Sequence, residues 1–280
     1  MEVQLPPIRA CIFDVDGLLI NSEDIYTEIY NNILREYGKP NYPWSIKALQ
    51  QSRGTPGTRR LLDWAQLPLS IEEFGNKVSA QYDLFKKSQP LPGVVKHVRI
   101  LSQETNPHMH MALASSAGRK NFDVKTSHLP EIASAFPENR RVFGDDEDMK
   151  GKQKKPNPDI FLLALDKINL SLQPGETAVA QNECLVFEDS IAGVEAGRRA
   201  GMRVIWVPHP CLRQVCRGWE NDVLRGIAEA RGFDGHPRED TLGGLESRYD
   251  NRFVSSDGFG ELLPTLVDFP YNRYGISVWH

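Results

Sequence analysis

The stretch Ile8-Arg9-Ala10-Cys11-Ile12-Phe13, followed by Asp14-Val15-Asp16-Gly17-Leu18-Leu19, decides how this chain is read. A short apolar run that ends in two carboxylates one residue apart describes a buried strand delivering acids to its carboxyl end. Like charges held together raise each other's pKa, and burial adds to the cost, so something must offset them. Residues i and i+2 of an extended segment point to one side. Gly17 permits a sharp turn straight afterwards, so both carboxylates face one small volume. A hard divalent cation such as Mg²⁺ suits that volume, because it takes oxygen ligands, few of them carboxylates, and leaves positions for water and phosphate. A surface Asp-x-Asp-Gly turn is the plain alternative.

Apolar runs of the same buried-strand type recur at residues 109–114, 141–143, 184–187 and 203–207. Helical patterns separate most of them. Pro92-Gly93 opens one over 94–101, Pro158-Asp159 another over 160–168, and Ser190 a third over 191–200, which Gly201 closes. This alternation predicts an α/β fold, a doubly wound parallel sheet with helices on both faces and ligands at the carboxyl ends of the strands. Residues 21–90 break the alternation and read as helices only. Ile25, Ile29 and Ile33 keep helical spacing, Thr55-Pro56 opens a helix, and Ser70 with Glu73 has capping-box spacing. The division expected is a core of residues 1–20 and 91–280 with a small helical cap domain, 21–90, inserted just after the acidic loop. There it would sit over the strand ends as a lid. Residues 208–257, rich in Gly, Arg and Asp with one helix-like piece around 221–231, read as an added segment without assigned chemistry, before a final piece at 253–274.

The bulk numbers exclude several functions. The 280 residues carry 33 basic and 37 acidic side chains, a net charge of -4, and no basic stripe, so nucleic acid is not an expected partner. No stretch approaches the length of a membrane span, and residues 1–9 lack the basic and apolar regions of a signal peptide, so the expected address is cytoplasmic. Cys11 and Cys184 lie within apolar runs, and Cys211 and Cys216 have no metal-type neighbours, which fits a reducing compartment. A monomer or weak homo-oligomer is expected.

If Asp14 opens a phosphoryl-transfer site, three other strand ends offer what it needs. Ser115-Ser116 provides hydroxyls and backbone N–H groups for phosphate oxygens. A lysine just before Pro156-Asn157-Pro158-Asp159 would offset the negative charge; Lys155 is the choice, with Lys154 the rival. Glu188-Asp189 follows the 184–187 run, and Asp189 would complete the metal coordination begun by Asp14 and the Asp16 carbonyl, with Glu188 a neighbouring or alternative ligand. In the cap, Gln50, Gln51 and Arg53 precede the turn Gly54-Thr55-Pro56-Gly57 and are candidates to face substrate; a solvent-facing loop is the alternative.

These four loops resemble those of the haloacid dehalogenase-like hydrolase superfamily. Asp14-Val15-Asp16-Gly17 is similar to its first motif, Ser115 to its second, Lys155 to its third and Glu188-Asp189 to its fourth. Phe13 to Leu19, Lys155-Pro156-Asn157-Pro158-Asp159-Ile160-Phe161 and residues 184–201 look most like the pseudouridine-5'-phosphatase-like subgroup. The resemblance implies a Mg²⁺-dependent phosphatase acting on a small phosphorylated metabolite, with Asp14 as the nucleophile that becomes an aspartyl phosphate and Asp16 as general acid and base. It also implies a helical cap. Nucleotide, sugar and polyol phosphates, pseudouridine 5'-phosphate among them, remain open as substrates. A phosphosugar mutase of the β-phosphoglucomutase type is the second reading, since it needs the same four motifs. Asp16 argues against a haloacid dehalogenase, and the complete set of charged groups argues against a binding protein without turnover.

Overall fold

The computed structural model describes residues 5–238 and 252–279. Its centre is a seven-stranded sheet: β1 (Ala10–Phe13), β2 (His110–Ser115), β3 (Arg141–Phe143), β4 (Cys184–Glu188), β5 (Arg203–Trp206), β6 (Phe253–Val254) and β7 (Gly260–Leu262), in the order β3-β2-β1-β4-β5-β7-β6. All neighbours pair in parallel except β6 and β7. Alternate residues of the central strands feed opposite faces. Ala10 and Ile12 join Ala112, Ala114 and Val186 in one hydrophobic cluster, while Cys11 and Phe13 join Met111, Leu113 and Phe187 in another. Both faces are covered, and that is why these runs are apolar throughout instead of alternating.

After β1 the chain winds outward to β2 and β3, then returns past β1 to β4 and β5. The winding direction therefore reverses between β1 and β4, and the crevice at their carboxyl ends is where such sheets bind ligands. Helices α8 (Asp159–Leu170) and α9 (Ile191–Arg199) cover one face, and α5 (Val94–Gln103) the other, joined by Leu263, Leu266, Phe269 and Tyr274 from the C-terminal part of the chain.

The cap contains α1 (Ser22–Glu36), α2 (Trp44–Gln50), α3 (Thr55–Ala65), α4 (Ile71–Ser79) and a 3₁₀ turn at Tyr82–Lys87. It has its own apolar cluster, in which Ile25, Ile29 and Ile33 meet Leu61, Leu62, Phe74 and Phe85. Ser70 and Glu73 cap each other's backbone at the start of α4, and Pro56 occupies the first turn of α3. The chain enters and leaves the cap side by side. Asn21 N–H donates to the Gln89 carbonyl at 3.0 Å, and Gln89 N–H to Asn21 Oδ1 at 2.8 Å.

Beyond β5, α10 (Pro210–Val215) and α11 (Glu220–Leu224) replace the single helix expected around 221–231. This segment bridges cap and core. His209 stacks on Trp44 with ring centroids 4.4 Å apart, Arg53 pairs with Glu229 at 2.6 Å, and Gly235 lies so close to the Ser45 carbonyl that a Cβ would approach to 2.1 Å. Residues 239–251 of the added segment lie outside the described residues. Strands β6 and β7 carry no alternation long enough to be read from sequence, and Phe253 and Val254 are exposed at the sheet's edge. Among the described residues, no helix is long and apolar enough to cross a membrane.

The cap cluster sets a stability expectation. Ile33 is fully buried in it, so Ile33→Ala should cost about 2–5 kcal/mol in urea unfolding.

Candidate active site

The carboxyl ends of β1 and β4 deliver the acids. The β1–β4 register pairs Phe13 with Phe187, and Asp14 N–H donates to the Phe187 carbonyl at 3.0 Å, so Asp14 and Glu188 leave the sheet side by side. Lys155 arrives from the loop between β3 and α8. Its completely buried ammonium donates to Asp14 Oδ1 at 2.6 Å, Glu188 Oε1 at 2.5 Å and the Ala114 carbonyl at 3.2 Å. Lys154 is exposed, with its stem against Gly54 of the cap. Between the two rivals, Lys155 is the one that meets Asp14.

Glu188 is held by the start of α9, where Ser190 donates to Oε2 through its backbone N–H at 3.0 Å and its hydroxyl at 3.1 Å. Only glycine fits at 193, because a Cβ there would lie 1.8 Å from the Glu188 carboxylate. Asp189 is fixed through its carbonyl by Trp206 Nε1–H at 2.7 Å and through Oδ2 by the Gln51 amide at 3.0 Å. Gly17 has the same purpose as Gly193. Its φ is +80° and a Cβ would come within 2.4 Å of Asp189 Oδ2, so the turn after Asp16 can close on Asp189 only without a side chain.

Oxygens of Asp14, Glu188 and Asp189 all lie within 4.8 Å of one another. This all-oxygen, fully buried trio, with the cradle at Gly17, fits a hard divalent cation. The Asp16 carboxylate stands apart from the trio, its Oδ1 accepting from Ser22 Oγ–H at 2.6 Å and from Lys125 at 2.5 Å. Ser115 is buried at the end of β2 and its Oγ accepts the Ala117 N–H at 3.2 Å.

Burial is the largest influence on Asp14 and raises its pKa to about 7; Lys155 opposes the rise, while Glu188 and Asp16 add to it. Asp189 is also raised, by burial first and then by Glu188, Glu23 and Asp14. For Lys155, burial disfavours the ammonium, but Asp14 and Glu188 outweigh it and the net shift is upward. One lysine thus faces three crowded carboxylates.

Above the acids is a cavity of about 510 Å³ between core and cap. Asp14, Asp16, Ser116 and Ala117 form its core side; Glu23, Tyr26, Lys47, Gln50, Gln51 and Tyr82 are among the cap residues facing them. Gln50 and Gln51 therefore face the site. Arg53 does not line the cavity: its guanidinium turns to Glu229, in the added segment.

Sequence reasoning passed over Lys125, Lys47 and Ser22. Lys47 reaches Glu23 Oε2 at 2.8 Å and Thr27 Oγ1 at 2.7 Å. A faint signal for Lys125 exists, since it falls on the same face as Phe122 in Phe122-Asp123-Val124-Lys125-Thr126, and a charge at a core position needs a partner.

Comparison with known proteins agrees with this geometry. Residues 8–201 match the haloacid dehalogenase-like hydrolase family, and the chain belongs to it. It is similar to a probable pseudouridine-5'-phosphatase of Saccharomyces cerevisiae, with 38% identity over 79% of this chain and 91% of that protein. It is also similar to the mitochondrial (DL)-glycerol-3-phosphatase 1 of Arabidopsis thaliana, at 36% identity over 79% of this chain and 71% of the relative. Among solved structures, a putative β-phosphoglucomutase from Thermotoga maritima aligns with a TM-score of 0.52 and 28% identity, over 72% of this chain and 86% of the other. The protein is a phosphoric monoester hydrolase of the family's phosphatase type.

The raised carboxyl groups fix a pH dependence. Their folded-state pKa values lie above the unfolded value of 3.8, so the metal-free folded protein holds extra protons and loses stability as pH rises from about 4 toward about 7. Protons also compete with a cation for the same oxygens. In thermal melts, added Mg²⁺ should therefore raise Tm more at about pH 8 than at about pH 5.5. An equal rise at both would contradict the assignment.

Proposed function

We propose that this protein is a Mg²⁺-dependent phosphatase that hydrolyses a small phosphomonoester through an aspartyl phosphate on Asp14. The observation that carries the reading is the Lys155 ammonium between Asp14 Oδ1 and Glu188 Oε1, at 2.6 and 2.5 Å, behind the Asp14 that lines a cavity shared with the cap. Asp14, Glu188 and Asp189 would hold the ion, with the Asp16 carbonyl as a further oxygen. When bound, Mg²⁺ supplies positive charge against the phosphoryl oxygens.

Every other task falls to the chain. In the first half-reaction an Asp14 carboxylate oxygen bonds to phosphorus, the bond from phosphorus to the alcohol oxygen breaks, and Asp16 gives that oxygen a proton. In the second half Asp16 takes a proton from water as the water oxygen bonds to phosphorus and the bond to Asp14 breaks. Lys155 steadies the anionic charge throughout, and the Ser115 hydroxyl, whose oxygen accepts the Ala117 N–H, receives the phosphoryl oxygens together with Ser116. Closure of residues 21–90 over the site would exclude bulk water, with Gln51 touching Asp189 from the cap side.

The substrate is a small phosphorylated metabolite. A nucleotide, sugar or polyol phosphate fits the cavity's mixture of tyrosines and amides, and pseudouridine 5'-phosphate and glycerol phosphate come first because of the relatives' names. Phosphatases at 36–38% identity favour hydrolysis over the mutase reading, whose support is a solved structure at 28%. Site in the cytoplasm, and a monomer or weak homo-oligomer, complete the proposal.

Two measurements test it. Asp14→Asn should abolish phosphate release from every phosphomonoester in a screen while the fold is kept, and substantial remaining turnover would sink the mechanism. Excess chelator should silence the wild-type protein and Mg²⁺ restore it; activity undiminished in chelator would remove the metal from the scheme.

A further inference from the structure

Lys125 belongs to α6 (Arg119–Thr126), on the core side of the hinge, and its side chain is 1% exposed. The ammonium donates to Asp16 Oδ1 at 2.5 Å and to the Tyr26 hydroxyl at 2.9 Å. It also lies 4.6 Å from the Tyr26 ring centroid and 4.8 Å from that of Phe85. The Lys125 carbonyl accepts from Ser88 Oγ–H at 2.7 Å, where the chain returns from the cap. Ser22, where the chain enters the cap, donates to the same Asp16 oxygen at 2.6 Å. One residue therefore touches Asp16, a cap tyrosine and the returning hinge.

A buried ammonium has to be paired, and it offers three donors and no acceptor. With Lys125 and Ser22 both donating to Oδ1, that oxygen cannot present a proton to the cavity without confronting the ammonium. The remaining oxygen, Oδ2, is the one that can exchange a proton with a leaving group. We infer that Lys125 is the positioning residue for proton transfer: it holds Asp16 by Oδ1, leaves Oδ2 to serve the substrate, and through Tyr26 and Ser88 makes that orientation depend on a seated cap. In the step it supports, the bond from phosphorus to the alcohol oxygen breaks, its electron pair stays on that oxygen, and the proton arrives from Asp16 Oδ2. Water later returns a proton to Oδ2 as its own oxygen bonds to phosphorus and the bond to Asp14 breaks. The inference rests on the reading of Asp16 as the acid and base of a phosphatase.

The test exploits leaving groups that differ in their need for a proton. p-Nitrophenolate leaves without one, whereas the alkoxide of an alkyl phosphate requires it. With the full-length protein and Mg²⁺, the pre-steady-state burst of p-nitrophenol from p-nitrophenyl phosphate reports attack by Asp14 alone. Steady-state phosphate release is measured on the best alkyl substrate among glycerol 3-phosphate, ribose 5-phosphate and pseudouridine 5'-phosphate. Lys125→Met should lower kcat on the alkyl phosphate by about 100-fold, with KM and the burst rate held within about threefold. Lys125→Arg, still a donor-only cation, should recover at least about a tenth of the wild-type alkyl rate. Should methionine prevent folding, Ser22→Ala removes the other donor from Oδ1 and should give the same one-sided loss, at about tenfold. Burst and alkyl turnover falling together, or neither falling, would overturn the assignment while leaving the phosphatase reading in place. A wild-type protein that releases phosphate from none of these esters fails that reading, and the inference with it.

Discussion

The Lys155 ammonium, completely buried between Asp14 and Glu188, is the interaction on which the rest depends. Three buried carboxylates repel one another, and removing a charge partner from such a site leaves uncompensated charge that proteins tolerate poorly. Much of the surrounding structure can be understood as holding this arrangement still. The start of α9 donates two hydrogen bonds to Glu188, Trp206 fixes the Asp189 carbonyl, and glycines stand at 17 and 193 where any side chain would collide with a carboxylate. The remaining excess of negative charge suits a cation, and a cation with lysine suits a phosphoryl group.

The sheet makes that cluster possible. Parallel strands send all their carboxyl ends to one edge, so loops after β1, β2, β3 and β4, far apart in sequence, converge there. A buried two-faced sheet is also a rigid platform, and acids placed on it do not drift apart when their charges repel. The helical cap adds the other half of the cavity; it carries an apolar cluster of its own, and Trp44, Ala48 and Leu49 of α2 pack on the core's cluster beside the two adjacent chain crossings.

The segment after β5 bears on how that cap sits. His209 stacked on Trp44, Glu229 paired with Arg53 and Gly235 pressed against Ser45 all join the added segment to cap residues that lie just before or just after those lining the cavity. Arg53 is informative here. As an arginine beside a glycine turn near a phosphate site it reads as a substrate contact, yet the acid that takes it up belongs to a segment with no recognisable chemistry in its sequence.

Local pattern determined a good deal by itself. Apolar runs showed the parallel strands because both faces of the sheet are buried, 3.6-residue spacing and the Ser70–Glu73 box showed the cap helices, and strand-end acids, serines and a lysine marked the four loops. These signals are legible because each is made by neighbours in the chain. Tertiary structure alone decided which lysine enters the site, since Lys154 and Lys155 differ only in the side to which the backbone turns them. It alone sent Arg53 to Glu229, added β6 and β7 at an edge where two or three residues carry no pattern, and brought Lys125 to Asp16 across 109 positions. Contacts of that kind arise from how elements pack, and packing leaves no periodic trace in the residues that make them.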